Sequence, residues 1–255
     1  MNCQDQIYSE EYIDFIGNRS LIESKYTLDC KQPLGARFAS LYLKLSDGYE
    51  DGTVYGYYNI PKLFGLQDTG SMESSGILQV RENPDLKLDG SGVLIGFVDT
   101  GIDYAGSIFL KQDGTTRVTA IWDQTIPAGS PIRLPAQPEL PETPENITRT
   151  PEGFLYGSEF THEQLNAAVK MEDAYEGISS RDENGHGTFL ASIAAGNELP
   201  DGSFTGAAPK ADIAMVKLKP AKNRLRAYYQ IKEDAVAYQE NDIMAGVLYL
   251  VSLAK

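Results

Sequence analysis

"LDGSGVLIGFVDTGID", residues 88–103, decides how this chain is read. Gly90 and Gly92 lead into a run from Val93 to Val98 that is apolar at nearly every position. A run this short, apolar on both faces, predicts a buried strand, most often one in a parallel sheet. Asp99 then stands at the strand's carboxyl end, with Thr100-Gly101 as the turn, and in open α/β sheets function gathers at that edge. An aspartate after a strand is also what an ordinary turn requires, so Asp99 gains chemical meaning only with a partner.

A candidate partner lies in "SRDENGHGTFLASIAAG", residues 180–196. The chain has only two histidines, and one of them, His186, sits between Gly185 and Gly187. A lone histidine is more often a surface or satisfied core residue than a catalyst. Here the flanking glycines remove bulk and permit close backbone approach. The preceding "SRDEN" supplies residues suited to a helix N-terminus. Thr188, Ala191, Ser192, Ala194 and Ala195 predict a narrow helix that can pass close under a sheet. A histidine there projects toward the sheet edge, where a carboxylate can fix its tautomer and leave the other nitrogen as a base.

Outward from these segments the chain changes character. "YIDFI" and "ARFASLYLKL" read as strands of a small α+β unit over residues 1–72, ending in "TVYGYYNIPKLFGLQDTG", an extended strand running into a loop. Residues 73–255 form the second section. Within it residues 127–151 hold seven of the thirteen prolines and predict an extended surface excursion, Asn146 of "NIT" included. "ADIAMVKLK" reads as another interior strand, and "AVAYQENDIMAGVLYLVSLA" as a helix with Ile243, Val247, Leu250 and Val251 at helical intervals. Strand, helix, strand, helix gives an α/β class with a parallel sheet and covering helices.

Composition removes several function classes. A formal charge of -14 opposes binding to nucleic-acid phosphates or to an anionic membrane surface. The opening "MNCQDQIYSEEY" has no secretory pattern, and a cytoplasmic protein is expected. Cys3 and Cys30 are the only cysteines. Two free thiols in a reduced compartment are expected, though two cysteines can also pair. His162 is followed by Glu163 but by no second histidine, so no zinc site, other metal site or cofactor is expected.

Taken together, "VLIGFVDTGID" and "NGHGTFLASIAAG" resemble the aspartate and histidine motifs of the subtilases, the subtilisin-like serine proteases. "GAAPKADIAMVKLK" is similar to the turn and strand that follow the histidine helix there. "GFLYGSEFT", "SRDENGHGTFLA" and "EDAVAYQENDIMAGVLYL" look most like the clostridial Csp-type branch known from spore germination. The resemblance covers residues from about 75 onward and, more loosely, the first 70 as a propeptide. It implies a partial subtilisin-like fold, a protein or peptide substrate, Asp99 orienting the imidazole, and His186 acting as general base toward a serine.

The family's serine lies in a "GTS" motif on a later helix, and that motif is absent. Ser192, Ser203 and Ser252 are the only serines after His186, and none has that setting. Phe189 also replaces a second histidine common in the family, and Ser192 replaces a usual glycine, where it is expected to crowd the helix. The expectation is therefore the N-terminal portion of a subtilisin-like endopeptidase, inactive by itself, with a non-catalytic fragment or binding pseudoprotease as the rival. "DTG" also occurs in aspartic proteases, but here Ile102-Asp103 follows and the pattern downstream is α/β. The glycines of "GSGVLIG" precede their strand, whereas a dinucleotide fingerprint needs them after it. A restored enzyme is expected to cut itself between about Leu66 and Ser75, with the small unit remaining bound.

Overall fold

The computed structural model describes residues 2–20, 22, 30–44, 57–64, 86, 88–135, 147–201 and 204–254. The N-terminal part holds α1 (Cys3–Tyr8), β1 (Tyr12–Asn18), β2 (Lys31–Leu34), β3 (Phe38–Lys44) and the short β4 (Leu63–Phe64). β1, β3 and β2 form an antiparallel sheet in that order. Pro33 lies in the edge strand β2, where a missing N–H is tolerated. Asn2 caps α1 and exchanges hydrogen bonds with Asp5.

The second part holds β5 (Leu94–Asp99), β6 (Val118–Asp123), β7 (Ser158–Thr161), α2 (His162–Ala168), α3 (Ala174–Gly177), α4 (His186–Ala195), β8 (Asp212–Lys217), α5 (Asn223–Tyr228), β9 (Tyr238–Gln239) and α6 (Glu240–Leu253). Its main sheet has the order β5-β8-β6-β7. β8 runs parallel to both β5 and β6, while β7 is antiparallel to β6. The expected α/β class with a largely parallel sheet and covering helices is what the chain adopts.

One expectation needs correction, and one helix buries an unforeseen face. The Val93–Val98 run does form a strand, but among the described residues β5 pairs only with β8, leaving Gly96 exposed. The strand buried on both sides is β8, which has a partner at each edge. In α6 the buried face is Asp242, Ala245, Gly246 and Tyr249, whereas Val247 and Val251 are each 49% exposed. Small residues decide this: a Cβ on Gly246 would stand 3.1 Å from Val98 and from Val216, so only that face can approach the sheet closely.

Strand alternation divides the core between the two faces of the sheet. Ile121, Ile213 and Met215 pack toward α4 with Ile102, Phe109 and Ala191. Trp122 and Val216 pack the other way, with Tyr156 and Tyr249. That second core also contains Ile7, Ile16, Leu34 and Tyr42, so the N-terminal sheet shares apolar packing with the main sheet.

Polar contacts reinforce the junction. Asp14 of β1 is fully buried; it accepts hydrogen bonds from Gln239 Nε2 at 2.8 Å and Asn241 Nδ2 at 3.0 Å and pairs with Lys222. Beside it Lys219 pairs with Asp242 at 2.6 Å, and Tyr156 donates to the same Asp242 at 2.9 Å.

The free-thiol expectation is also corrected. Cys3 and Cys30 are joined by a disulfide with their Cα atoms 5.1 Å apart, tying α1 to the residue before β2. The described ends of the proline-rich excursion are pinned by a bridge between Pro131 and Ile147 and by hydrogen bonds between Gly129, Ser130 and Thr148. Residues 136–146, Asn146 among them, lie outside the described residues, as do the expected cleavage segment 66–75 and Ser203. No helix among the described residues is long and apolar enough to cross a membrane.

Candidate active site

Asp99, Asp123 and Lys217 end the three parallel strands in matching register, Asp99 opposite Lys217 and Lys217 opposite Asp123. Each reaches into the segment that carries the histidine. Asp123 accepts from Ser180 Oγ at 2.6 Å. Lys217 donates to the Arg181 carbonyl and, at 2.7 Å, to Glu183. Asp99 receives His186 itself: Nδ1 stands 2.9 Å from Oδ1 and 3.1 Å from Oδ2. The two side chains keep 18% and 10% of their surface exposed, so the pair is sheltered without being sealed. Thr100 N–H donates to Asp99 Oδ1 at 2.7 Å, which holds the carboxylate in place.

His186 is the first residue of α4, a position fixed by unusual local chemistry. The residue before it, Gly185, has φ +85° and offers no capping side chain. Asp182 does that work from further back. Its Oδ2 accepts from Thr188 N at 2.8 Å and from Thr188 Oγ1 at 2.6 Å; its Oδ1 accepts from Gly185 N at 2.8 Å and from Thr100 Oγ1 at 2.7 Å. Burial pushes the Asp182 carboxyl up, but the hydroxyl and amide of Thr188, then Thr100 and Gly185, outweigh it and hold it below the ordinary aspartate value. Gly187 is required by close approach: a Cβ there would run into the Gly101 carbonyl and stand 3.1 Å from Asp99 Oδ1.

The structure therefore brings together both residues singled out in the sequence. Asp103, the other carboxylate of "DTGID", is used elsewhere: its side chain accepts from the Tyr175 hydroxyl, and its N–H donates to Thr188 Oγ1 at 2.9 Å. The second histidine, His162, lies 3.0 Å from the Thr116 carbonyl at the start of α2, away from this corner. Ser192 and Ser252 spend their hydroxyls on carbonyls of their own helices, those of Thr188 at 2.7 Å and Tyr249 at 2.6 Å. Ser192 is thus accommodated within its helix by a back-bond. Among the described residues no cluster of three histidine, cysteine or acidic side chains is placed to hold a metal ion.

Sequence reasoning missed Asp182, Thr100, Lys217 and Asp123. The acidic "SRDEN" was a signal for a helix start, but which of its members caps α4 depends on the approach of Thr100 from 82 residues away. Lys217 and Asp123 carried no signal beyond standing at the ends of apolar runs.

The N-terminal part of the chain also pairs with the strand that leads into α6. β4 pairs antiparallel with β9, Leu63 opposite Gln239 and Phe64 opposite Tyr238, and Glu240 N–H donates to the Lys62 carbonyl at 2.7 Å. Burial, and then the negative charges of Asp99 and Asp182, push the Tyr238 phenol up to about 12.

Comparison with known proteins gives the corner a family. Subtilisin-like protease SBT3.8 of Arabidopsis thaliana is 30% identical over 144 residues, 50% of this chain and 16% of that protein. Subtilisin-like protease SBT3.5 of the same plant is 28% identical over 169 residues, 62% of this chain and 19% of that protein. The chain thus spans less than a fifth of the plant relatives it matches. The solved structure of the Clostridium perfringens CspB protease shares 26% identity, covering 71% of this chain and 29% of that one with a TM-score of 0.48. The model of the subtilase family, Peptidase S8, matches residues 90–245, a span that runs from the glycines before β5 through the histidine helix and into α6. With more than half of its length inside that match, this chain belongs to the subtilase family.

Proposed function

We propose that the chain is the N-terminal portion of a subtilisin-like serine endopeptidase, with residues 1–72 as a propeptide-like unit and 73–255 as the first half of the catalytic domain. The observation that carries this reading is the contact of His186 Nδ1 with both carboxylate oxygens of Asp99, at 2.9 and 3.1 Å. A carboxylate on Nδ1 keeps a proton there, makes Nε2 the basic nitrogen, and stabilises the imidazolium once Nε2 has taken a proton. In a peptide bond cleavage of this kind a serine Oγ attacks the carbonyl carbon while its proton passes to His186 Nε2. The amide nitrogen then leaves with that proton. In this reading the serine belongs to a later segment of the family's "GTS" type, a motif these 255 residues do not contain.

The strand pair β4–β9 supports a second element of the reading. An extended segment laid antiparallel on a short strand is how a protease holds a peptide chain. Here the chain's own Leu63–Phe64 takes that place and leads toward residues 66–75, where self-cleavage is proposed. Substrates are accordingly proteins or peptides in extended form, and nucleic acid and membrane are not partners in this reading.

A fluorophosphonate serine probe tests both elements when applied to the 255-residue chain, to the protein extended through its following reading frame, and to the extended His186→Ala variant. The expected result is labelling of the extended protein alone, together with a mass loss corresponding to cleavage near residues 66–75 that the variant lacks. Labelling of the 255-residue chain that disappears on His186→Ala would place the nucleophile within it. An extended protein that neither labels nor cleaves would favour the non-catalytic rival.

A further inference from the structure

The geometry points to Asp182 as a positioning residue for His186: its carboxylate locks the start of α4 to the turn after Asp99, and so sets the imidazole against its partner. This rests on the reading of Asp99 and His186 as the working pair. The two residues are 87 positions apart and belong to different elements, so something must hold α4 at a fixed height relative to β5. A helix start is ordinarily tied by its own N-cap side chain. In α4 that residue is Gly185, which has none.

The exposed amides of this turn are taken up instead by two residues outside the helix. Gly185 and Thr188 donate to Asp182, and Gly187 donates to Thr100 Oγ1 at 2.9 Å. Thr100 then donates its hydroxyl proton to Asp182 Oδ1 at 2.7 Å, which closes the circuit. Since Thr100 is bonded covalently to Asp99, a slide of α4 along the sheet strains these bonds together with the imidazole–carboxylate contact. Asp182 is the only member that touches both sides through separate oxygens, Oδ1 toward Thr100 and Oδ2 toward Thr188. An asparagine there keeps the shape but turns an NH2 group toward the donors on one of those sides, and donor then faces donor.

The test is NMR of the imidazole protons in the 255-residue chain at mildly acidic pH, where a histidine Nδ1 proton bonded to a carboxylate gives a slowly exchanging, far low-field signal. With two histidines the assignment needs only His186→Ala, and His162 serves as an internal reference away from the corner. Two variants are compared with the unsubstituted chain: Asp182→Asn, and Thr100→Val, which cuts the same circuit without changing charge. The expected outcome is loss of the His186 low-field signal in both, with His162 and the overall signal dispersion unchanged. Retention of the signal in Asp182→Asn overturns the inference. Loss in Asp182→Asn alone assigns the effect to charge in place of position and overturns it as well. Loss accompanied by a shifted His162 or collapsed dispersion shows a general role in folding and also overturns it. Absence of the signal from the unsubstituted chain would instead sink the Asp99–His186 pair, and this inference with it.

Discussion

At the carboxyl end of the main sheet, Asp99 meets an imidazole that keeps 18% of its side-chain surface exposed, and Thr100 and Asp182 bond the start of the helix that carries it. At the junction with the N-terminal sheet, Asp14, Asp242, Lys219 and Lys222 are all buried and are answered by one another and by Gln239, Asn241 and Tyr156. Both regions are dense networks of charged hydrogen bonds. They differ in where the network ends. The junction closes on two lysine–carboxylate pairs buried between the sheets, which join surfaces. The sheet edge closes on an imidazole, a side chain whose chemistry suits proton transfer, so under the proposed reading rigidity there becomes orientation of a base. Density of polar contacts therefore does not distinguish a site from a joint, whereas the chemistry of the group on which they converge does.

The comparison breaks most visibly if the two networks answer substitution in the same way. In the extended enzyme, Asp99→Asn is expected to lower kcat by about 10⁴-fold, the scale of the loss when a triad carboxylate can no longer hold the right tautomer. The unfolding midpoint should stay close to that of the unsubstituted protein. Steady-state kinetics on a peptide substrate, paired with denaturant unfolding, decides this. A near-normal kcat with Asp103→Asn inactive would mean that the wrong carboxylate has been assigned.

Asp14→Ala should do the reverse. It removes the carboxylate shared by the Lys222 ammonium and the Gln239 and Asn241 amides and leaves a buried ammonium without its counter-charge, at a cost of about 3–5 kcal/mol in stability. The Asp99–His186 geometry in the molecules that remain folded should not change. Urea unfolding of the variant beside the unsubstituted chain measures the first statement, and the low-field His186 proton reports on the second. A variant with unchanged stability would show that the junction is held by its apolar contacts alone.

The smallest effect concerns pH. The Asp182 carboxyl lies below its unfolded value of about 3.9. Its contribution to stability is therefore fully present above that value and is lost as the pH falls through the folded one. The stability gap between the unsubstituted chain and Asp182→Asn should be open at about pH 6 and close on acidification below about pH 4. Thermal midpoints across that range sharpen the comparison, because a gap that ignores pH would mean the carboxylate holds α4 by shape and not as an anion.

Much of this was legible in the sequence because it depends on local order. An apolar run ending in aspartate places Asp99 at a strand end, and a glycine-flanked histidine before small residues places His186 at the mouth of a helix; both hold. Composition and spacing also reveal the α/β class. What the sequence could not settle depends on which distant surfaces meet. The spacing of Ile243, Val247, Leu250 and Val251 marks α6 as a helix, but which face is buried follows close approach at Gly246. β5 was read as an interior strand because apolar content reports the faces of a strand, whereas edge or centre is set by which strands pair beside it. The pairing of Cys3 with Cys30, and the capping of α4 by Asp182 through Thr100, likewise exist only once the fold brings these residues together. Hydrophobic periodicity is written into each segment, but a hydrogen bond across 82 residues is decided by the packing of the whole chain.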